Sequence, residues 1–144
     1  MTSYLFVTVQ FGAIAVLTYN AVFGNFTSGT ISFLVVGWIL GIWAVISMNR
    51  VSKLSIMPDP SKQTKLVIFG PYRSVRHPMY LAVLLFSLGL LGMNPNSLAT
   101  VSYWVLGVNL IAKILYEEHL LTKRLKTYSS YTKVVKYRLL PWLW

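Results

Sequence analysis

The chain has 144 residues, 56% of them apolar and only 11% charged, against about a quarter charged in soluble domains. That composition excludes an ordinary soluble domain and is that of a single membrane domain. Thirteen Lys and Arg stand against three acidic residues, a formal charge of +10, and there is no cysteine, which excludes a disulfide framework, a thiolate metal site and a cysteine nucleophile.

The first apolar run, residues 4–23, is broken only by Thr8, Gln10, Thr18 and Asn20 and is long enough to cross a hydrocarbon core of about 30 Å. It lacks the basic start and small-residue cleavage site of a signal peptide and is expected to stay as a helix. An uncharged turn, Gly24 to Gly29, leads to a second span at 31–48, in which Gly37 and Gly41 have the spacing that lets a neighbouring helix approach closely. Asn25-Phe26-Thr27 matches a glycosylation sequon, in a loop too short to stand clear of a membrane.

Residues 49–78 are the first polar segment, with Pro58-Asp59-Pro60 breaking any continuing helix. Thr64 to Phe69 reads as a short extended or interfacial piece. The third run, 79–93, is preceded by Pro78, well suited to a first helical position. After the uncharged turn 92–97, the fourth run covers 98–116. From Glu117 to Tyr137 the chain is basic, with Leu120, Leu121, Leu125, Tyr128, Tyr131, Val134 and Val135 near helical spacing, as in an amphipathic helix on a membrane surface. The terminal tryptophans suit the interface.

The expected fold is therefore all-α: a polytopic membrane protein with four transmembrane helices and a C-terminal amphipathic interfacial helix. All thirteen Lys and Arg fall between Arg50 and Arg76 or between Lys113 and Arg138. This clustering beside apolar runs favours anionic lipid over nucleic acid, and the positive-inside rule puts both segments and both termini in the cytoplasm.

One stretch is built for chemistry: Gly70-Pro71-Tyr72-Arg73-Ser74-Val75-Arg76-His77-Pro78-Met79-Tyr80. Spans three and four, joined by a short turn, should pair as an antiparallel hairpin. Counting outward from the turn puts Arg76 and His77 level with Ile114 to Glu118. Glu117 and Glu118, two of the three acidic residues, would then meet the basic stretch at the cytoplasmic rim. Carboxylates, Arg73, Arg76, aromatic faces at Tyr72 and Tyr80, and the amides opening span three suit a zwitterionic ligand with an aromatic base. Each element also has a plainer reading: arginines snorkel to headgroups, His-Pro caps helices, and paired glutamates neutralise nearby lysines. His77, His119, Glu117 and Glu118 are possible metal ligands, but no His-Glu-x-x-His spacing is present.

Gly70, Tyr72, Arg76-His77-Pro78 and Tyr80, then Glu117-Glu118 with Leu121, Tyr128, Tyr131 and Pro141, resemble the integral-membrane isoprenylcysteine carboxyl methyltransferase and phospholipid methyltransferase family. The resemblance covers roughly residues 60–142. It implies S-adenosyl-L-methionine as methyl donor in a cytoplasmic site made from residues 60–80 and 113–141. It implies cofactor binding by Thr64, Lys65, Leu66, Val67, Tyr72, His77, Pro78, Met79, Tyr80 and Glu117, with Arg76, His77 and Glu118 as catalytic candidates. Where the isoprenylcysteine enzymes carry a substrate-binding arginine, this sequence has Lys113, which keeps the charge and loses the planar fork. The family's arginine after the second tyrosine is Val134 here, with Lys136 or Arg138 as possible replacements.

The expected activity is S-adenosylmethionine-dependent methylation of a membrane-embedded or lipophilic acceptor, with isoprenylcysteine carboxyl O-methylation favoured and phospholipid N-methylation the alternative. A nicotinamide-dependent membrane reductase lacks its Rossmann glycine fingerprint here. A non-enzymatic four-helix lipid- or partner-binding protein is the reading of another class.

Overall fold

In the computed structural model, residues 2–51, 66–141 and 144 are described, and all regular structure among them is helical. The elements are α1 (Thr2–Ala21), α2 (Ser28–Asn49), a 3₁₀ turn (Gly70–Arg73), α3 (Pro78–Met93), α4 (Ser97–Arg124) and α5 (Tyr128–Val134).

Local sequence sets the helix starts. Thr27 caps α2 through a reciprocal pair with Thr30, and the Asn96 side chain accepts the Ala99 N–H at the head of α4, each satisfying an otherwise orphaned donor. Thr27 is also the last residue of the sequon. Pro78 opens α3, where its missing N–H costs nothing.

By length and apolarity α1, α2 and α4 can cross a membrane, while α3 is a shorter apolar helix of 16 residues, about 24 Å long. The C-terminal region departs from expectation. The fourth helix does not end at Tyr116 but runs unbroken for 28 residues to Arg124, about 42 Å. Residues 117–124 contain no Gly or Pro and continue its ladder. The separate amphipathic helix expected from Glu117 is thus the end of α4 followed by a seven-residue α5. Tyr128, Tyr131 and Val135 do not lie on an outer surface. They bury against Leu121, with Leu66 and Leu125 packed around them.

The tightest pairings are α2 with α3 and α1 with α4, while α3 also touches α1 and α4. Small residues set the α2–α3 approach: a Cβ on Gly37 would stand 2.6 Å from the Phe86 nitrogen, and Gly41 lies against Ala82. The Gly37/Gly41 face is therefore used inside the chain. Since lipid is as apolar as the helices, close packing and interhelical hydrogen bonds hold such a bundle, not hydrophobic burial. Gly37→Ala should overpack this seam and destabilise the protein by about 1–3 kcal/mol, lowering the midpoint of thermal unfolding in detergent. An unchanged midpoint would contradict the observed approach.

Asparagines tie the two uncharged turns together. Asn96 donates to the Asn20 side chain (2.6 Å), Asn94 to the Asn20 carbonyl (3.1 Å), and the Asn25 N–H to the Met93 carbonyl (2.9 Å). Around the core of Leu17, Leu90, Leu106 and Leu110, the outer faces of the long helices expose Trp38, Ile39, Trp104 and Val108, as a lipid-facing surface does. Both turns sit at one end, so the 3₁₀ turn, the head of α3 and the tail of α4 gather at the other.

Candidate functional site

The stretch from Phe69 to His77 is shaped by Gly70, whose φ of +61° lies in the left-handed region that glycine enters without a Cβ penalty. A Cβ there would also collide with the Ser47 hydroxyl on α2. The turn seats Tyr72 and Val67 against Ala44, with Met48 and Met79 around them. The chain then crosses the end of the bundle to His77, which precedes α3.

The tail fastens this stretch from outside. The N–H groups of Arg76 and His77 donate to the carbonyls of Tyr137 and Arg138, both at 2.9 Å. The Tyr131 hydroxyl donates to the Tyr72 carbonyl at 2.8 Å.

Glu117 and Glu118 are neighbours on α4, so their side chains diverge by about 100°, and they do different things. Glu118 is a buried clamp, its side chain 11% exposed, with Arg76 Nε and Arg138 Nε each 2.9 Å away and His77 Nε2 at 3.3 Å. Arg138 is hydrogen-bonded to it, whereas Arg76 Nε approaches at an angle too bent for a hydrogen bond. A carboxylate can only accept, so the His77 contact requires a proton on Nε2. Glu117 is more open, 25% exposed. It accepts from the Tyr80 hydroxyl at 2.8 Å and lies 3.8 Å from His77 Nδ1. The His77 and Tyr80 rings stack at 5.5 Å between centroids.

Beside Glu117 opens a cavity of about 230 Å³. Of the residues expected at a site, Leu66, Val67, Tyr72, Arg76, His77, Met79, Tyr80, Lys113 and Glu117 line it. Pro78 is buried as the first residue of α3, and Glu118 stands outside the lining, occupied by its cations. Thr64 and Lys65 lie outside the described residues. Arg73 is exposed and borders a separate outer groove with Lys136. Val134 is exposed, and the arginine that reaches the acidic pair from the tail is Arg138. His119 is exposed, and among the described residues no three His, Asp or Glu side chains converge as metal ligands.

Several lining residues escaped the sequence reading as site residues. Gln10 and Phe11 come from α1, Met48 from α2, Val83 from α3, and Leu125 from the start of the tail. Gln10 carried one signal, as a polar break in the first apolar run; the others look like any membrane-helix residue. Tyr128 and Tyr131 also line the cavity; in the sequence they read as part of an amphipathic face and as matches to the family pattern.

Two hydroxyls of lining tyrosines are fully buried. Tyr72 is 6% exposed and Tyr128 3%; the Tyr72 Oη makes no hydrogen bond among the described residues, and the Tyr128 Oη lies beside Glu118. Burial, reinforced by the nearby carboxylates, pushes both phenols well above their ordinary range, and burial raises Tyr131 to about 12. All three stay protonated donors. Both side chains line the cavity, while the hydroxyl oxygens themselves are covered by the surrounding protein.

The model of the isoprenylcysteine carboxyl methyltransferase (ICMT) family matches residues 30–123. The match takes in α2, where no family signature was legible, and ends just before the tail. No curated protein matches significantly.

Proposed function

Because the chain belongs to the isoprenylcysteine carboxyl methyltransferase family, a family of membrane methyltransferases, we propose that it transfers a methyl group from S-adenosylmethionine to the carboxylate of a lipophilic, prenylcysteine-like acceptor. The observation that carries this reading is one cavity in which the Glu117 carboxylate stands beside Tyr72, Tyr80 and Tyr128 and the apolar side chains of Met48, Leu66, Val67 and Met79. The wall suits the donor: Glu117 for a cationic end, Tyr72 and Tyr128 for polar edges, and Met48, Leu66, Val67 and Met79 for the faces of an aromatic base.

S-adenosylmethionine supplies an electrophilic methyl group on a sulfonium. The chain's residues supply position and surroundings. Apolar side chains from α1, α2 and α3 exclude water, and a low-dielectric site favours a step in which opposite charges cancel. Lys113 holds the acceptor's anionic group within reach of the donor. A carboxylate acceptor needs no general base, which leaves Glu118 free to hold Arg76 and His77 as the rear wall. In this reading α3 completes a fourth crossing with the residues before it, the acceptor enters from the bilayer, and the basic end and both termini face the cytoplasm.

The test is calorimetry of S-adenosylmethionine against purified protein, with a labelled-methyl assay on N-acetyl-S-farnesylcysteine, phosphatidylethanolamine and small thiols. Binding of the donor and a base-labile methyl ester on the farnesylcysteine are expected. Tyr72→Phe should weaken donor binding about 3- to 10-fold without lowering thermal stability, because its hydroxyl has no hydrogen-bond partner among the described residues. Absence of donor binding by the unmodified chain sinks the proposal. Methyl transfer to the amine lipid alone would replace the acceptor.

A further inference from the structure

Lys113 is the side chain least expected where it sits. It lies on α4 with 1% exposure, and its Nζ donates to Gln10 Oε1 on α1 at 2.9 Å and stands 5.1 Å over the Tyr80 ring. Gln10 is itself buried, and both residues line the cavity. Gln10 precedes the region matched by the family model.

A lysine ammonium on a four-carbon stem has many rotamers and no inherent direction. Here two neighbours give it one. The Gln10 amide must turn its carbonyl toward Nζ, because an ammonium only donates. The Tyr80 face supports the same position from the α3 side, and Tyr80 is fixed in turn by its bond to Glu117. The choice of partner matters as much as the distance. A carboxylate at position 10 would cancel the lysine's charge, whereas the amide oxygen orients the ammonium and adds no negative charge of its own; the carboxylate whose field reaches Lys113 is Glu117, in the same cavity wall. The amide also carries its N–H₂ donors on the same wall.

Resting on the acceptor reading above, we infer that Gln10 is a positioning residue for the acceptor. It aims the Lys113 ammonium into the cavity and, with its own N–H groups, completes a two-residue grip on an anionic carboxylate. α1 thereby sets acceptor selectivity in a site whose donor side is built by the 66–80 segment, α4 and the tail.

The experiment measures equilibrium binding of N-acetyl-S-farnesylcysteine and of its uncharged primary amide to the full chain in detergent, alongside the acceptor KM. Gln10→Met should weaken binding of the carboxylate probe about 3- to 10-fold, leave the amide probe nearly unaffected, and leave S-adenosylmethionine affinity intact. Gln10→Glu keeps the oxygen on Lys113 but cancels its charge, and should weaken the carboxylate probe more. In a Lys113→Met background, Gln10→Met should cost less than in the parent, since part of its effect acts through the ammonium.

Equal losses for both probes, or an undiminished loss in the Lys113→Met background, would show Gln10 to be a packing residue and overturn the inference. Should Gln10→Met fail to fold, the isosteric Gln10→Glu decides the matter on the same comparison, and carboxylate binding as strong as in the parent overturns it. A parent chain that binds S-adenosylmethionine but neither probe removes the acceptor reading and this inference together. A parent chain that binds the carboxylate probe isolates the question to Gln10.

Discussion

Glu118→Ala is expected to destabilise the protein by about 3–5 kcal/mol, the loss typical of removing one partner from a buried charge cluster. Three basic side chains approach this carboxylate within 3.3 Å: Arg76, Arg138 and His77. The Arg76 and His77 side chains are 7% and 6% exposed, so neither can recover its lost partner from water. A domain's total stability is only about 5–15 kcal/mol, which makes this a large share. The loss should begin at the tail, because Arg138 and the backbone bonds from Arg76 and His77 hold the chain after α5 in place. Limited proteolysis should cut between residues 125 and 141 in the variant and not in the parent, and thermal unfolding in detergent should begin earlier. Glu118→Gln, which retains acceptor oxygen but no charge, should fall between the two. A Glu118→Ala protein as stable and protease-resistant as the parent would contradict the clamp.

At the next position the expected effect reverses in kind. Glu117→Gln should weaken S-adenosylmethionine binding about 30- to 5,000-fold, the effect of removing one charge of a hydrogen-bonded pair at about 2–5 kcal/mol, with little change in unfolding temperature. The amide can still accept the Tyr80 hydroxyl, and Glu117 is more open to solvent than Glu118, so the structure loses little. What disappears is the negative charge in the cavity wall. Calorimetry on the pair separates the roles: a variant at 117 that folds and does not bind, and one at 118 that unfolds. Unchanged affinity in Glu117→Gln would place the donor's cationic end elsewhere.

The neighbouring glutamates also show how far the sequence could be read. Their meeting with the Arg-His-Pro stretch followed from helix rise and a short turn, and the pairs His77–Glu118 and Tyr80–Glu117 form where that counting put them. Which glutamate faces the cavity did not follow. It depends on the rotation of α4 about its axis, which α1 sets by packing along it. The end of α4 was misplaced for a related reason: basic residues after an apolar run mark a change of surroundings, not a break in the backbone ladder, and nothing between 117 and 124 stops a helix.

The Lys113–Gln10 bond joins residues 103 positions apart. No local pattern encodes such a pair, because Gln10 interrupts an apolar run in the same way as Thr8 or Thr18. The inward turn of the tyrosine tail was likewise illegible. Leu121, Tyr128 and Tyr131 have the spacing of a surface-seeking face, and such a face buries equally well against protein or lipid.

Apolar run lengths, the uncharged turns, Pro78 and the clustered charges determine an all-helical membrane chain whose basic end carries the Arg-His-Pro stretch. These are properties of consecutive residues, set by backbone hydrogen bonding and transfer into lipid. Tertiary structure alone decided that Glu118 clamps while Glu117 faces the cavity, that the tail closes over the Arg-His-Pro stretch, and that Gln10 holds Lys113. Those outcomes depend on how helices rotate and approach one another, and the small residues at Gly37, Gly41 and Ala82 resolve that only once the helices meet.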